Sequence, residues 1–485
     1  MNEPTLPPPG RRIYCNRTLN LRAVKAVGCD MDYTLIHYKS EVWEARAYAI
    51  TRDHLARQGL PVAGLEFDPS FATLGLIFDL ELGNIVKANR FGFVRRASHG
   101  TRMLDFEEQR EAYSQVQVDL SEPRWVFMNT LFALSEACLY AQVVDLREAG
   151  KIDRALGYAE LYRRVKSALD ETHLEGTLKE GIMAEPDTFV VLDPELPLAL
   201  LDLKHAGKKL MLITNSEYSF TRAMMSYAFD RFLPAEQTWR SLFDVVLVGA
   251  RKPAFFSQAG PAFRVVDEAR GLLEPWRGAL HEGGVYLGGH AGLVEESLGL
   301  RGDEILYVGD HMFADVHVSK ALHRWRTALI VRELEGELAA LDGFHGRQAE
   351  LTRMMSDKEL FEHRFSLLRL ELQRLERGYG PPPTRTEREL RAQMTELRNR
   401  LVALDERIAP LARASAELEN ARWGLIMRTG NDKSHLARQI EKHADIYTSR
   451  VSNLLWSTPF VYLRSPRGSL PHDSGPAGGV SSAPD

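Results

Sequence analysis

"VKAVGCDMDYTLIHYKS" (Val24–Ser40) sets an apolar run directly against two aspartates one residue apart, Asp30 and Asp32. The run is short, apolar and not interrupted by polar alternation, so it reads as a buried strand. Its carboxylates then stand where that strand ends, at the mouth of a sheet. A calcium loop would need a third acidic residue and a glycine further on, and "DMDYTLIHY" has neither. Taken alone, D-x-D is as compatible with a turn or helix cap as with catalysis.

The wider sequence decides the context. "KKLMLIT", "FDVVLVG", "EILYVG" and "RTALIV" are further Val/Ile/Leu-rich runs that end at small or polar residues, and helical stretches separate most of them. That alternation predicts an α/β fold with an open, parallel, Rossmann-like sheet. Ligands of such sheets bind beyond the carboxyl ends of the strands. About 175 residues part the first run from the second, far beyond the dozen or so that a crossover needs. The reading is therefore a catalytic core from 1–44 and 186–335, interrupted by an inserted α+β cap over 45–185. Within the cap, "LGLIFDLELGNIVKANRFGFVRRASHG" predicts strands and a turn, and helices follow it.

After Val331 the pattern changes. Leu390, Met394, Leu397, Leu401, Leu404, Ile408 and Leu411 recur at steps of four and three, as do Phe361, Phe365, Leu368, Leu372 and Leu375. "GYGPPPT" must break the helix between them. Residues 336–464 are thus expected to form an antiparallel helical hairpin and a closing segment. The Gly/Ser/Pro-rich stretch 465–485 is expected to be disordered.

The formal net charge of -5 gives no global reason to bind a nucleic-acid polymer or a membrane. The basic, Phe-containing stretch "NRFGFVRRASHGTR" is short and fits a cap hairpin better than a nucleic-acid site. No apolar run reaches the ~20 residues of a membrane span, and "MNEPTLPPPG" has no signal-like apolar segment. Three scattered cysteines fit a reducing compartment, so a cytoplasmic protein is expected. Cys29, beside Asp30, reads as small core filler.

Four pieces of chemistry then line up at strand ends. They are Asp30-x-Asp32-x-Thr34, then Thr214 with Asn215 and Ser216, then Lys252, then Asp310 with Asp315 five residues on. Hydroxyl, amide and ammonium donors suit phosphate oxygens, and paired carboxylates suit a nucleophile and an acid/base. This set resembles the four motifs of the haloacid dehalogenase superfamily of phosphotransferases. The resemblance implies that Asp30 attacks phosphorus and that Asp32 serves as acid and then base. It implies Thr214 and Lys252 as stabilisers of the phosphoryl oxygens. Mg²⁺ would be held by Asp30, Asp310 and the backbone carbonyl of Asp32, with Asp315 behind them holding its waters or orienting Lys252.

A narrower resemblance follows from "DMDYTLIHYKS", "GLIFDLELGNIVKANRFG", "TNSEYSFTRAMMSYAF", "ARKPAFF", "ILYVGDHMFADVHVSK" and "HADIYTSRVSNLLWSTPFVYLR". These are similar to the cytosolic purine 5'-nucleotidase family, which acts on IMP and GMP. It implies a hydrolase of purine nucleoside monophosphates that passes through an aspartyl-phosphate, with phosphotransfer to a nucleoside acceptor. For the cap it implies Phe132 and His173 as stacking residues, Asp170 for the 6-oxopurine edge, and Lys166 and Lys179 as polar contacts. Asn215 and Ser216 would complete the substrate site. A homo-oligomer, dimer or tetramer, is expected. Two other readings are a related phosphatase acting on a sugar phosphate and a silent scaffold that binds partners through the hairpin.

Overall fold

The computed structural model describes residues 7–466 apart from 175, 269 and 383. The 467–485 part of the stretch expected to be disordered lies outside the described residues, as do the side chains of His173, Leu174 and Thr177. Among the described residues, no helix is long and apolar enough to cross a membrane.

Ten strands make the main sheet. They are β1 (Tyr14–Cys15), β2 (Ala26–Cys29), β3 (Lys209–Ile213), β4 (Val245–Val248), β5 (Ala262–Asp267), β6 (Leu272–Trp276), β7 (Gly284–Gly288), β8 (Ile305–Gly309), β9 (Arg326–Ile330) and β10 (Ile446–Thr448). Their spatial order is β1-β10-β9-β8-β2-β3-β4-β7-β5-β6. The seven from β10 to β7 run parallel, while β1, β5 and β6 join antiparallel at the two edges. All five runs read from the sequence are parallel strands.

Register explains why these runs are apolar throughout. Val27 stands beside Leu210 and Leu306, and Gly28 beside Met211 and Tyr307. Val27, Cys29, Leu210, Leu212, Leu306 and Val308 enter one core cluster. Ala26, Met211, Ile213, Ile305 and Tyr307 enter the cluster on the opposite face. Both faces are covered, so each strand position must be apolar, and each fully buried Val or Leu contributes about 1.5–3 kcal/mol. From β2 the chain winds outward through β3, β4 and β7, then crosses to the other flank as β8, β9 and β10. The reversal falls at the carboxyl end of β2, where open α/β sheets bind ligands.

The segment inserted after β2 begins with α1 (Ser40–Arg57). It carries an antiparallel five-stranded sheet ordered 102–103, 94–99, 84–88, 77–79 and 125–127, then α2 (Leu134–Glu148) and α3 (Tyr158–Leu174). A short α4 (Thr177–Ala184) leads back toward β3. Asp79 fixes the turn that starts the cap sheet. It accepts from the backbones of Glu81 and Leu82 and takes both arms of Arg124 at 2.9 and 2.7 Å.

The hairpin is built as its heptads require. α5 (Leu334–Arg377) and α6 (Glu387–Ala416) run antiparallel, with Leu351, Met354 and Ile408 in one buried cluster and Leu368, Leu372 and Leu390 in another. The loop carrying "GYGPPPT" divides them. The chain then returns: Lys87 of the cap donates to the carbonyls of Trp423 and Leu425 at 2.6 and 2.5 Å. Finally β10 takes its place between β1 and β9.

Candidate active site

The loop after β2 is wound on one carbonyl. The amides of Thr34, Leu35 and Ile36 all point to the Met31 oxygen, at 3.2, 2.9 and 2.8 Å. Met31 and Tyr33 are buried, and Tyr33 takes φ +53 to close the turn. This knot fixes Asp30 and Asp32 at the sheet mouth.

Lys252 stands at the centre of the acidic residues. Its Nζ lies 2.8 Å from Asp30 and 2.7 Å from Asp315, and it donates to the Tyr307 hydroxyl at 3.0 Å. Tyr307 in turn donates to the Ile213 carbonyl at 3.0 Å. Burial opposes charge on Lys252, but Asp30 and Asp315 outweigh it and hold the ammonium form well above the ordinary lysine range. Two glycines make room. A Cβ on Gly28 would lie 3.0 Å from the Tyr307 ring, and one on Gly309 would strike Asp315 at 2.5 Å.

Asp30, Asp310 and Asp315 each present an oxygen within 4.8 Å of the others. Burial pushes the Asp30 carboxyl up to about 7, with Asp315 and Asp32 adding to the shift and Lys252 opposing it. Asp310 is raised well above the usual range by burial and by repulsion from Asp30 and Asp315. Three carboxylates thus face one ammonium. The excess negative charge and the all-oxygen donor set suit a hard divalent cation such as Mg²⁺. Asp315 also accepts from the His311 amide at 3.1 Å, so its two oxygens are shared between that amide and Lys252.

The Asp32 carboxylate belongs to a second network. Tyr38 donates to one of its oxygens at 2.6 Å and Ser216 to the other at 2.7 Å. Lys179 reaches the same Ser216 hydroxyl at 3.4 Å. Thr214 is buried, and its hydroxyl accepts from the Ser216 amide at 3.0 Å, which leaves its own proton free to donate. Asn215 gives both ends of its amide to the backbone of Lys252, at 3.1 and 2.6 Å, and so positions the lysine.

A cavity of about 510 Å³ opens from this point into the cap. Asp32, Asn215, Ser216, Lys179 and His311 line it, and so do Phe132, Lys166 and Asp170. Of the residues expected to bind substrate, only His173 has a side chain outside the described residues. Lys166 lies 2.9 Å from Asp170 and 3.5 Å from Glu136. Phe132 packs edge-on to Tyr33 at 4.7 Å and tilted to Trp43 at 5.4 Å.

Several groups here were not named from the sequence. Tyr38 and Tyr307 orient the two halves of the acid cluster, yet each sits inside a strand and reads there as core. Glu136 and Tyr162 line the cavity beside Lys166, on helical faces that otherwise read as apolar.

Glu44 also gives no such signal in the sequence. It is fully buried beneath this region, accepts from the Ser135 amide at 2.8 Å, and has one oxygen without a partner. Burial pushes its carboxyl up to about 7, and the Ser135 hydrogen bonds pull it only part of the way back. In the folded protein it therefore keeps a proton that the unfolded chain has already lost. Stability present below about pH 4.5 is lost as pH rises through about 7. Glu44→Gln cannot ionise and should escape that fall. Its stability relative to the parent should rise by about 2–3 kcal/mol between pH 4.5 and pH 8, read by urea unfolding. Parallel pH profiles for parent and variant would sink this account.

A family model described as the 5' nucleotidase family matches residues 13–475. A 5'-nucleotidase domain-containing protein of Dictyostelium discoideum is 28% identical over 488 residues, covering 97% of this chain and 76% of its own length. The human 5'-nucleotidase domain-containing protein 2 is 28% identical over 457 residues, covering 91% of this chain and 81% of its own. Among solved structures, a haloacid dehalogenase-like family hydrolase from Xanthomonas campestris aligns with 67% of this chain and 98% of its own at 13% identity, with a TM-score of 0.24.

Proposed function

Because the chain belongs to the 5' nucleotidase family, we propose that it is a Mg²⁺-dependent hydrolase of purine nucleoside 5'-monophosphates, with IMP and GMP preferred. The observation that carries this reading is the cavity of about 510 Å³ that has Asp32, Asn215 and Ser216 at one end and Phe132, Lys166 and Asp170 on the cap wall.

The nucleotide's phosphate enters beside Asp30, Lys252 and Thr214. Lys252 and the Thr214 hydroxyl face the phosphoryl oxygens and stabilise the charge that grows there. Asp30 attacks phosphorus and forms an aspartyl-phosphate as the ester oxygen leaves. Asp32, aimed by Tyr38 and Ser216, gives that oxygen a proton and then takes one from the attacking water. Asp30 and Asp310, with Asp315 behind them, would hold Mg²⁺, which when bound would supply the charge that screens one anion from the other. Asp315 holds Lys252 in place. A nucleoside in the vacated cap can take the phosphoryl group instead of water, since its 5'-hydroxyl replaces the leaving oxygen. The reading includes a homo-oligomeric, cytoplasmic protein.

The test is phosphate release from IMP, GMP, AMP, CMP and glucose 6-phosphate, with Mg²⁺ and with a chelator. Turnover of IMP and GMP that stops with the chelator supports the reading. Turnover confined to glucose 6-phosphate overturns it.

Asp170 supplies a narrower check. A carboxylate accepts from the protonated N1 of a 6-oxopurine, and adenine has no proton there. Such a hydrogen bond discriminates by about 1–3 kcal/mol. Asp170→Asn should therefore lower the IMP-to-AMP ratio of kcat/KM by about ten-fold. An unchanged ratio would move base recognition to another cavity residue.

A further inference from the structure

Phosphate and base each have assigned partners in the substrate cavity, whereas the sugar that joins them has none. His311 lines the same cavity. It follows Asp310 directly and caps the π-helical turn Met312–His317. The charges that act on its ring are Asp315 and Lys252 from the phosphate end and Lys166 from the cap wall. The imidazole therefore stands between the two ends, at the level of the sugar.

The backbone fixes the state of this ring. The Ala314 amide lies 3.0 Å from Nδ1, and an amide N–H can only donate, so Nδ1 is the bare nitrogen. The ring proton is then on Nε2. The His311 amide donates to the Asp315 carboxylate at 3.1 Å, and its carbonyl accepts from the Asp315 amide at 3.0 Å, so the residue is pinned at its backbone as well. Nε2 makes no hydrogen bond to any described residue. His311 thus offers the cavity one oriented donor.

Such a donor reads an acceptor. Between phosphate and base, a nucleoside monophosphate presents the ribose hydroxyls and the ring oxygen. The ring oxygen is the poorer acceptor, because its lone pair is drawn toward the glycosidic carbon. Resting on the nucleotide reading of this site, we propose that His311 determines sugar specificity: its Nε2–H donates to a ribose hydroxyl of the bound nucleotide and selects against substrates that lack it. The ring acts at the sugar and moves no proton.

Two variants divide the ring between its nitrogens. In His311→Asn the side-chain oxygen can accept from the Ala314 amide as Nδ1 does, but nothing stands at Nε2. In His311→Gln an amide N–H reaches toward the Nε2 position and the cap is lost. The readout is kcat/KM for IMP and for its 2',3'-dideoxy analogue, with Mg²⁺ supplied. The parent should prefer IMP by about ten-fold or more, since a site built to bond a hydroxyl rejects the analogue without it. His311→Asn should bring the ratio of the two close to one, and His311→Gln should recover part of it. Partial misfolding lowers both substrates alike and leaves the ratio where it was. A purely structural cap predicts the reverse order, with the Gln variant the more damaged and the ratio unmoved in both. A parent that hydrolyses neither compound overturns the nucleotide reading and this proposal with it. A parent that hydrolyses both equally well, or a His311→Asn variant that keeps the parent's ratio, overturns this proposal alone.

Discussion

Asp30→Asn should lose turnover by about four orders of magnitude or more, because an amide cannot attack phosphorus. The fold should survive. Lys252 keeps Asp315 at 2.7 Å, and removing one of three crowded carboxylates relieves repulsion rather than creating it. The expected result is an unchanged or higher Tm together with no phosphate release and no transfer to a nucleoside. On the proposed mechanism the two losses coincide, since hydrolysis and transfer would share one aspartyl-phosphate. A variant with near-normal turnover would remove Asp30 from the mechanism. One that hydrolyses slowly but still transfers would show that transfer takes a different route.

The second large effect concerns Lys252. Replacing it with methionine keeps the volume and removes the charge. In the metal-free protein, Asp30, Asp310 and Asp315 would then share a buried space without the ammonium that pairs with Asp30 and Asp315, and Tyr307 would lose its donor. Breaking a buried ion pair from one side costs about 3–5 kcal/mol. Loss of a charge that faces the phosphoryl oxygens costs a further factor of about 10²–10³ in kcat. Lys252→Met should therefore fail on both counts at pH 8. Part of the stability should return at pH 5, where protonated carboxyls need no counter-ion. Equal stability at the two pH values, with kcat retained, would contradict the assigned role.

What could be read from the sequence follows from packing. β2, β3, β4, β8 and β9 are covered on both faces, so they appear as unbroken apolar runs. β10 has three residues and β7 opens and closes on glycine, which leaves too little pattern to find them. In the site, Asp30, Thr214, Lys252 and Asp310 were visible because polar residues stand out at the ends of apolar runs. Tyr38, Tyr307 and Glu44 were not, because an aromatic or a single carboxylate inside a strand or helix gives no sign of its partner. Asp170 and Lys166 were visible through family resemblance alone; their i, i+4 spacing would otherwise read as an ordinary helix-surface pair.

The hairpin also bears on how the chain folds. β9 ends at Ile330 and β10 begins at Ile446, so the edge of the sheet stays open until a long intervening segment has been made. A flexible loop of that length would carry a large closure entropy. α5 and α6 meet through local contacts, which form quickly, and their pairing brings Glu419 back beside Gly336. The zipped hairpin thus turns a distant strand into a near one. The loop to be closed shrinks to the short stretches flanking the helices. Changes that loosen the hairpin's inner seam should slow completion of the sheet without touching a residue of the catalytic site.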